Sequence, residues 1–228
     1  MRLLAISDIH GCARTFRKLL DQIGLNQDDH LVLAGDYVDR GPDTKGVIDQ
    51  ILELQEKGYS ITLLKGNHED LMLEAIDKAD ALPHWIRNGG RETLASFGIA
   101  SPTDLPPPYL RFFRELKNYH QTEEAFFVHA GFNFQIADPL EDEIAMLWIR
   151  NWYDQLDRNW LGDRLIVHGH TPQPRAQIEL QLSQIDGLPV LDIDCGCVYP
   201  REGMHQLCAF DLTNRSLYFV QNREAGPA

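Results

Sequence analysis

Three short apolar runs, Arg2–Ser7, His30–Gly35 and Ser60–Gly66, begin roughly 30 residues apart, the length of one βαβ unit. The segments between them, Ala13–Ile23 and Thr44–Lys57, carry apolar residues at helical spacing: Phe16, Leu19, Leu20 and Ile23, then Val47, Ile48, Ile51 and Leu52. Strand–helix–strand alternation with short connections forces a parallel sheet, because a parallel return needs a crossover helix. In such a sheet, functional groups collect just beyond the carboxyl ends of the strands.

Those ends share one chemistry. The first run leads into Asp8-Ile9-His10-Gly11, the second into Gly35-Asp36-Tyr37-Val38-Asp39-Arg40-Gly41, and the third into Gly66-Asn67-His68-Glu69. Two later runs, Ala125–Ala130 and Arg164–His168, lead into His129-Ala130-Gly131 and His168-Gly169-His170-Thr171. Taken alone, an Asp or Asn after a strand is a turn former or helix N-cap, and a single His is a hydrogen-bonded core residue. Asp43, just before Thr44, is expected to be such a cap and nothing more. Five strand ends of this kind in order are another matter. Successive strands bring Asp8, Asp36 and Asn67 to one rim. Carboxylates, imidazoles and an amide oxygen together suit divalent metals, manganese foremost and iron or zinc otherwise. Two such ions about 3.5–4 Å apart can hold a bridging hydroxide for in-line attack on phosphorus, so no Ser or Cys nucleophile is required.

The rest of the chain is less explicit. Leu71–His120 has helical patches, an Asn88-Gly89-Gly90 turn and the cluster Pro106-Pro107-Pro108, and is expected to be a helical cap with a surface linker. A helix is expected around Ile144–Tyr153. Ala176–Leu182, Val190–Ile193, His205–Asp211 and Ser216–Gln221 are expected to be short strands forming an antiparallel second sheet. The whole span, 1–228, is expected to be one domain. A net charge of −13 argues against a nucleic-acid partner, which usually needs a basic face. No run is long and apolar enough for a membrane span, and the start runs directly into a strand, so a cytoplasmic protein is expected. Cys12, Cys195, Cys197 and Cys208 are expected to be reduced and partly buried, since Cys195 and Cys197 stand too close for an ordinary zinc knuckle.

In order, Asp-x-His-Gly, Gly-Asp-x-x-Asp-Arg-Gly, Gly-Asn-His-Glu, a strand-end His and Gly-His-Thr resemble the phosphoprotein phosphatase family of metallophosphoesterases, in particular its compact bacterial and phage-type members. Trp85, Asn88-Gly89-Gly90 and Thr93-Leu94 resemble the cap of those bacterial members. The resemblance implies an α/β fold, a β-sandwich of two mixed sheets flanked by helices with a small helical cap. It implies two metals, with Asp8 and His10 on the first, Asp36 bridging, and Asn67, His129 and His170 on the second. His68 would be the general acid, oriented by Asp39, while Arg40, Arg150 and Asn67 would contact the substrate phosphate. His168 would stand outside the ligand set. Ser7 and Ala130 depart from the family's usual glycines, and the longer carboxy-terminal extension and recognition loop of eukaryotic members are not evident in this sequence. The first expectation for function is a Ser/Thr protein phosphatase acting on a phosphoprotein or small phosphoester. The alternatives are a symmetric diadenosine tetraphosphatase and an inactive phosphate-binding module.

Overall fold

The computed structural model describes residues 1–224, so the last four residues of the expected 1–228 domain lie outside it. In chain order its elements are β1 (Leu3–Ile6), α1 (Ala13–Ile23), β2 (His30–Leu33), α2 (Thr44–Glu56), β3 (Ser60–Leu63), α3 (Asn67–Asp77), α4 (Leu82–Trp85), α5 (Arg91–Phe97) and α6 (Pro107–Arg114). There follow β4 (Tyr119–Gln121), β5 (Ala125–Val128), α7 (Glu143–Trp148), α8 (Arg158–Leu161), β6 (Leu165–His168), α9 (Arg175–Ser183), β7 (Val190–Asp192), β8 (Gln206–Asp211) and β9 (Ser216–Gln221). Two mixed sheets face each other, with strand orders β3-β2-β1-β8-β9 and β4-β5-β6-β7. This is the α/β sandwich flanked by helices that the motif pattern implies.

Alternation along the strands builds the layers, because successive strand residues point to opposite faces. Ala5 and Val32 of one sheet pack against Phe127, Val167 and Leu191 of the other, between the sheets. Their neighbours Leu4, Ile6, Leu31 and Leu33 point outward onto α1, α2 and the cap, including Phe16, Ile48 and Trp85. On the far side, Phe126, Val128 and Ile166 pack under Trp152 and Phe132. Asp43 is the N-cap of α2, accepting from Gly46 N at 2.9 Å, and Gly24 ends α1 in the left-handed region.

Five expectations are corrected. Ala176–Leu182 is helical, inside α9. Ala176, Ile178, Leu180 and Leu182 alternate as in a strand, yet Ile178 is buried while Leu180 is exposed, so burial follows the helical period. The tail hairpin β8–β9 does not form a second sheet; β8 pairs antiparallel with β1 and extends the first. The helix near Ile144–Tyr153 is shorter, ending at Trp148. Pro107 starts α6 instead of lying in a linker, since the first helical turn needs no N–H from it. The cap is also bounded earlier than expected, because Tyr119–Gln121 pairs antiparallel with β5.

Candidate metal centre

The segments that follow β1 and β2 are laced together by backbone hydrogen bonds from Asp8 N to Gly35 O, His10 N to Asp36 O and Gly11 N to Tyr37 O. Tight turns follow: Asp8, His10, Asp36, Asp39, Arg40 and His170 all have positive φ, between 45° and 73°. Non-glycine residues enter that region at a cost, and such strain collects at functional sites. Gly66 and Gly169 are glycines for another reason. A Cβ at Gly66 would collide with Asp36, and one at Gly169 with Ser7 and Asp8.

The structure brings the expected residues to one point. Ligand-type atoms of Asp8, Asp36 and His129 lie within 4.8 Å of one another, as do those of His10, Asp36 and His68, with Asp36 common to both groups. Asn67 Oδ1 lies 3.0 Å from His129 Nε2 and 2.9 Å from His170 Nδ1. Asp8 Oδ2 accepts from His170 N at 3.0 Å and from Ser7 Oγ. Arg40 Nη1 donates to His10 Nε2 at 2.8 Å. Arg150 is exposed at the rim and donates to Thr171 Oγ1 at 2.9 Å, one residue from His170. Beside it opens a cavity of about 260 Å³ lined by Trp152, Tyr153, His168 and Gln173 among others. His168 itself is buried away from the cluster, where its Nε2 accepts from Tyr153 Oη at 2.7 Å.

This donor set fits divalent cations. His10 Nδ1 donates to Val38 O, and His129 Nδ1 donates to Ala34 O. In the neutral ring of His10 the other nitrogen must then carry a lone pair. His10 Nε2, which accepts from Arg40, is 3.5 Å from Asp36 Oδ2, and His129 Nε2 is 3.6 Å from Asp36 Oδ1. His170 Nε2 is buried without any partner. Burial and the neighbouring Arg40 push the His10 imidazole well below its ordinary value, and burial with His129 takes His170 down to about 2, so both rings are neutral. Burial, then Asp8 and Glu69, raise Asp36 well above the usual carboxylate range. Converging lone pairs and crowded carboxylates call for positive charge, which a divalent ion supplies.

His68 sits on the edge of this cluster. Its Nδ1 is 2.7 Å from Asp39 Oδ2, leaving Nε2 facing inward, 4.0 Å from Asp36 Oδ2. Asp39 is fully buried, and the cap holds it: Trp85 Nε1 donates to both its oxygens at 3.0 Å, and Thr93 Oγ1 donates to Oδ1 at 2.8 Å. Burial presses Asp39 and His68 toward their neutral forms, with Arg40 and the other imidazoles adding to the effect on His68.

Several contributors have no role in the sequence motifs as read along the chain. Glu69 lies behind the site, its carboxylate accepting from the backbone N–H of Asp36, Tyr37, Val38 and Gly66 at 2.8–3.1 Å. Asp192 and Asp194, at the end of β7, add two more buried carboxylates, and burial followed by Asp8 raises Asp194 well above its ordinary value. The signal was present, since Asp-Ile-Asp follows an apolar run just as the other motifs do.

The calcineurin-like phosphoesterase family model matches residues 1–207, and the chain belongs to that family. It is similar to the symmetrical bis(5'-nucleosyl)-tetraphosphatase of Nitrosomonas europaea, at 32% identity over 72% of this chain and 58% of that protein's length. It is also similar to serine/threonine-protein phosphatase 1 of Salmonella typhimurium, at 36% identity over 37% of each chain. Among solved structures, a candidate diadenosine tetraphosphatase superposes with a TM-score of 0.68 at 21% identity, over 98% of this chain and 95% of the other, a likeness of fold. No helix among the described residues is long and apolar enough to cross a membrane.

Proposed function

We propose that this chain is a metal-dependent hydrolase of bis(5'-nucleosyl) tetraphosphates, cleaving them symmetrically. The observation that carries the reading is the convergence of two ligand groups on Asp36, in a chain whose longer match is to a protein of that name. The Ser/Thr protein phosphatase expected first remains the second reading, favoured by the shorter Salmonella match. An inactive phosphate-binding module is disfavoured by the paired His68 and Asp39, because a binder has no use for a positioned acid.

In this reading Asp8 and His10 would hold one divalent ion, Asn67, His129 and His170 would hold the other, and Asp36 would serve both. Manganese suits the mixed oxygen and nitrogen donors, and iron or zinc would also fit. When bound, the ions supply the Lewis acidity that activates water and draws charge from the phosphoryl oxygens. The chain's own residues do the rest. Arg40 and Arg150 fork onto non-bridging oxygens, assisted by the Asn67 amide. The anionic substrate raises the proton affinity of His68, offsetting the depression caused by burial. With Nδ1 committed to Asp39, the proton delivered to the leaving oxygen comes from Nε2. Trp85 and Thr93 keep Asp39 from turning away, so the cap (71–120) serves the acid as well as enclosing the site. The span 1–228 acts as one catalytic domain, and its four free, buried cysteines suit a reducing, cytoplasmic compartment.

The test is parallel turnover of diadenosine tetraphosphate, a phosphoserine peptide and p-nitrophenyl phosphate with added manganese. Conversion of the dinucleotide to ADP alone, at the highest kcat/KM of the three, is expected. Preference for the phosphopeptide would move the assignment to the protein phosphatase reading.

A further inference from the structure

A loop leads from β7 to β8 and is closed on itself by Tyr199 N to Gly196 O at 2.9 Å, Arg201 N to Tyr199 O at 2.7 Å and His205 N to Gly196 O at 3.1 Å. It carries the half-buried Tyr199 and the exposed Arg201. The Tyr199 ring has two guanidinium groups against it: Arg40 Cζ lies 5.5 Å from its centroid and Arg201 Cζ 5.4 Å. Arg40 continues inward to His10. From the centre outward the order is therefore His10, Arg40, Tyr199, Arg201. Neither arginine has a carboxylate ion-pair partner among the described residues, unlike Arg2, Arg114, Arg175 and Arg215. Asp8, Asp36 and Asp194 are buried carboxylates near the ring, and burial, opposed by Arg40 and helped by these three, raises the Tyr199 hydroxyl. A guanidinium over an aromatic face is attracted to it while its N–H groups remain free to donate.

The geometry points to Arg201 as the contact for a second phosphate, one or more units along a polyphosphate chain from the phosphorus under attack, with Tyr199 as the residue that positions it. This rests on the reading of the substrate as a polyphosphate. Arg40 is near enough to the metal-ligand residues to serve the attacked phosphate. Arg201 packs on the same ring but at the outer end of the sequence, where a monoester has no second phosphate to offer. The pair of arginines thereby discriminates by chain length: a phosphomonoester engages the inner one only, and a bridged polyphosphate engages both. Packing on Tyr199 lowers the entropy that a free arginine side chain would lose on binding.

The test compares wild type with Arg201→Gln in the manganese-loaded protein, at fixed free manganese. Two substrates are used, diadenosine tetraphosphate and p-nitrophenyl phosphate. Loss of one charge-assisted hydrogen bond should lower kcat/KM for the dinucleotide roughly tenfold, chiefly through KM, and leave p-nitrophenyl phosphate within about twofold. Tyr199→Leu, which also frees Arg40, should lower turnover of both substrates and that of the dinucleotide more, and Arg201→Lys should restore some of the affinity lost in Arg201→Gln. Equal losses on both substrates, or no change on either, would overturn the inference. Should wild type not turn over the dinucleotide, the substrate reading fails. Arg201 is then judged separately by competitive inhibition of p-nitrophenyl phosphate hydrolysis. Dinucleotide binding that is tighter than orthophosphate in wild type, and brought to the orthophosphate level by Arg201→Gln, would sustain the second-phosphate contact. Equal inhibition of both proteins would refute it.

Discussion

Replacing Glu69 with glutamine probes the scaffold behind the metal centre with almost no change of shape. Glu69 is fully buried, and each of its oxygens accepts two backbone N–H groups: Tyr37 and Val38 on Oε1, Asp36 and Gly66 on Oε2. In glutamine one oxygen becomes an NH2 that must face two N–H donors, so two buried donors lose their acceptor. At about 1–3 kcal/mol for each unsatisfied group, the expected loss is about 2–6 kcal/mol. Relief of repulsion works against this, since Glu69 is one of the charges that raise Asp36, and the lower half of the range is the better expectation. For a chain of this size each kcal/mol moves Tm by about 2–4 °C, so a fall of roughly 4–16 °C should be seen. The assay is thermal unfolding of chelator-treated wild type and variant, so that metal loss does not enter. Exposed Glu74, one turn later, serves as the control, and Glu74→Gln should barely move Tm. Because the turn carrying Asp36 and Asp39 hangs on Glu69, phosphoesterase activity should fall together with stability. A Tm within about 1 °C of wild type would refute the argument that Glu69 holds this turn.

Three further outcomes are expected. His68→Asn should lower kcat by roughly 10²–10⁴ with metal content unchanged by elemental analysis; loss of metal would make His68 a ligand, which its place beside His10 and Asp36 also permits. Asp36→Asn should abolish the rise in Tm that manganese brings to wild type. That rise amounts to about 5–11 °C at 100 times Kd, from roughly 2.7 kcal/mol of binding linkage. The same variant should leave the metal-free protein no less stable, since burial and neighbouring carboxylates already disfavour the charge; two retained metals would sink the bridging role. His168 is held at about 4 by burial, against about 6.5 in the unfolded chain. The fold thus binds fewer protons than the unfolded chain between those values. Its contribution is complete above pH 6.5 and falls away, by up to about 3 kcal/mol, as pH drops toward 4. His168→Gln keeps an acceptor for Tyr153 and removes the titration, so denaturant unfolding at pH 7.5 and pH 5 should show a smaller difference; an unchanged difference would argue against it.

Much of this molecule could be read along the chain because strand and helix periods are local. The apolar runs ending at Ser7, Gly35 and Gly66, the helices between them and the ligand types at each strand end all follow from residue order and spacing. The gathering of Asp8, Asp36 and Asn67 on one rim also follows, since consecutive βαβ units leave little choice of neighbour. What local pattern did not contain was settled by distant packing. Ala176–Leu182 satisfies both periods, and only the burial of Ile178 with exposure of Leu180 selects the helix. The hairpin β8–β9 could have joined either sheet, and its pairing with β1 spans most of the chain. The hold of Trp85 and Thr93 on Asp39, and of Tyr199 on Arg40 and Arg201, likewise joins residues with no periodic relation. Sequence alone determined which side chains stand at the strand ends. Tertiary structure decided which distant groups hold them there, because a buried carboxylate or an aromatic face finds its partners through space and not through spacing.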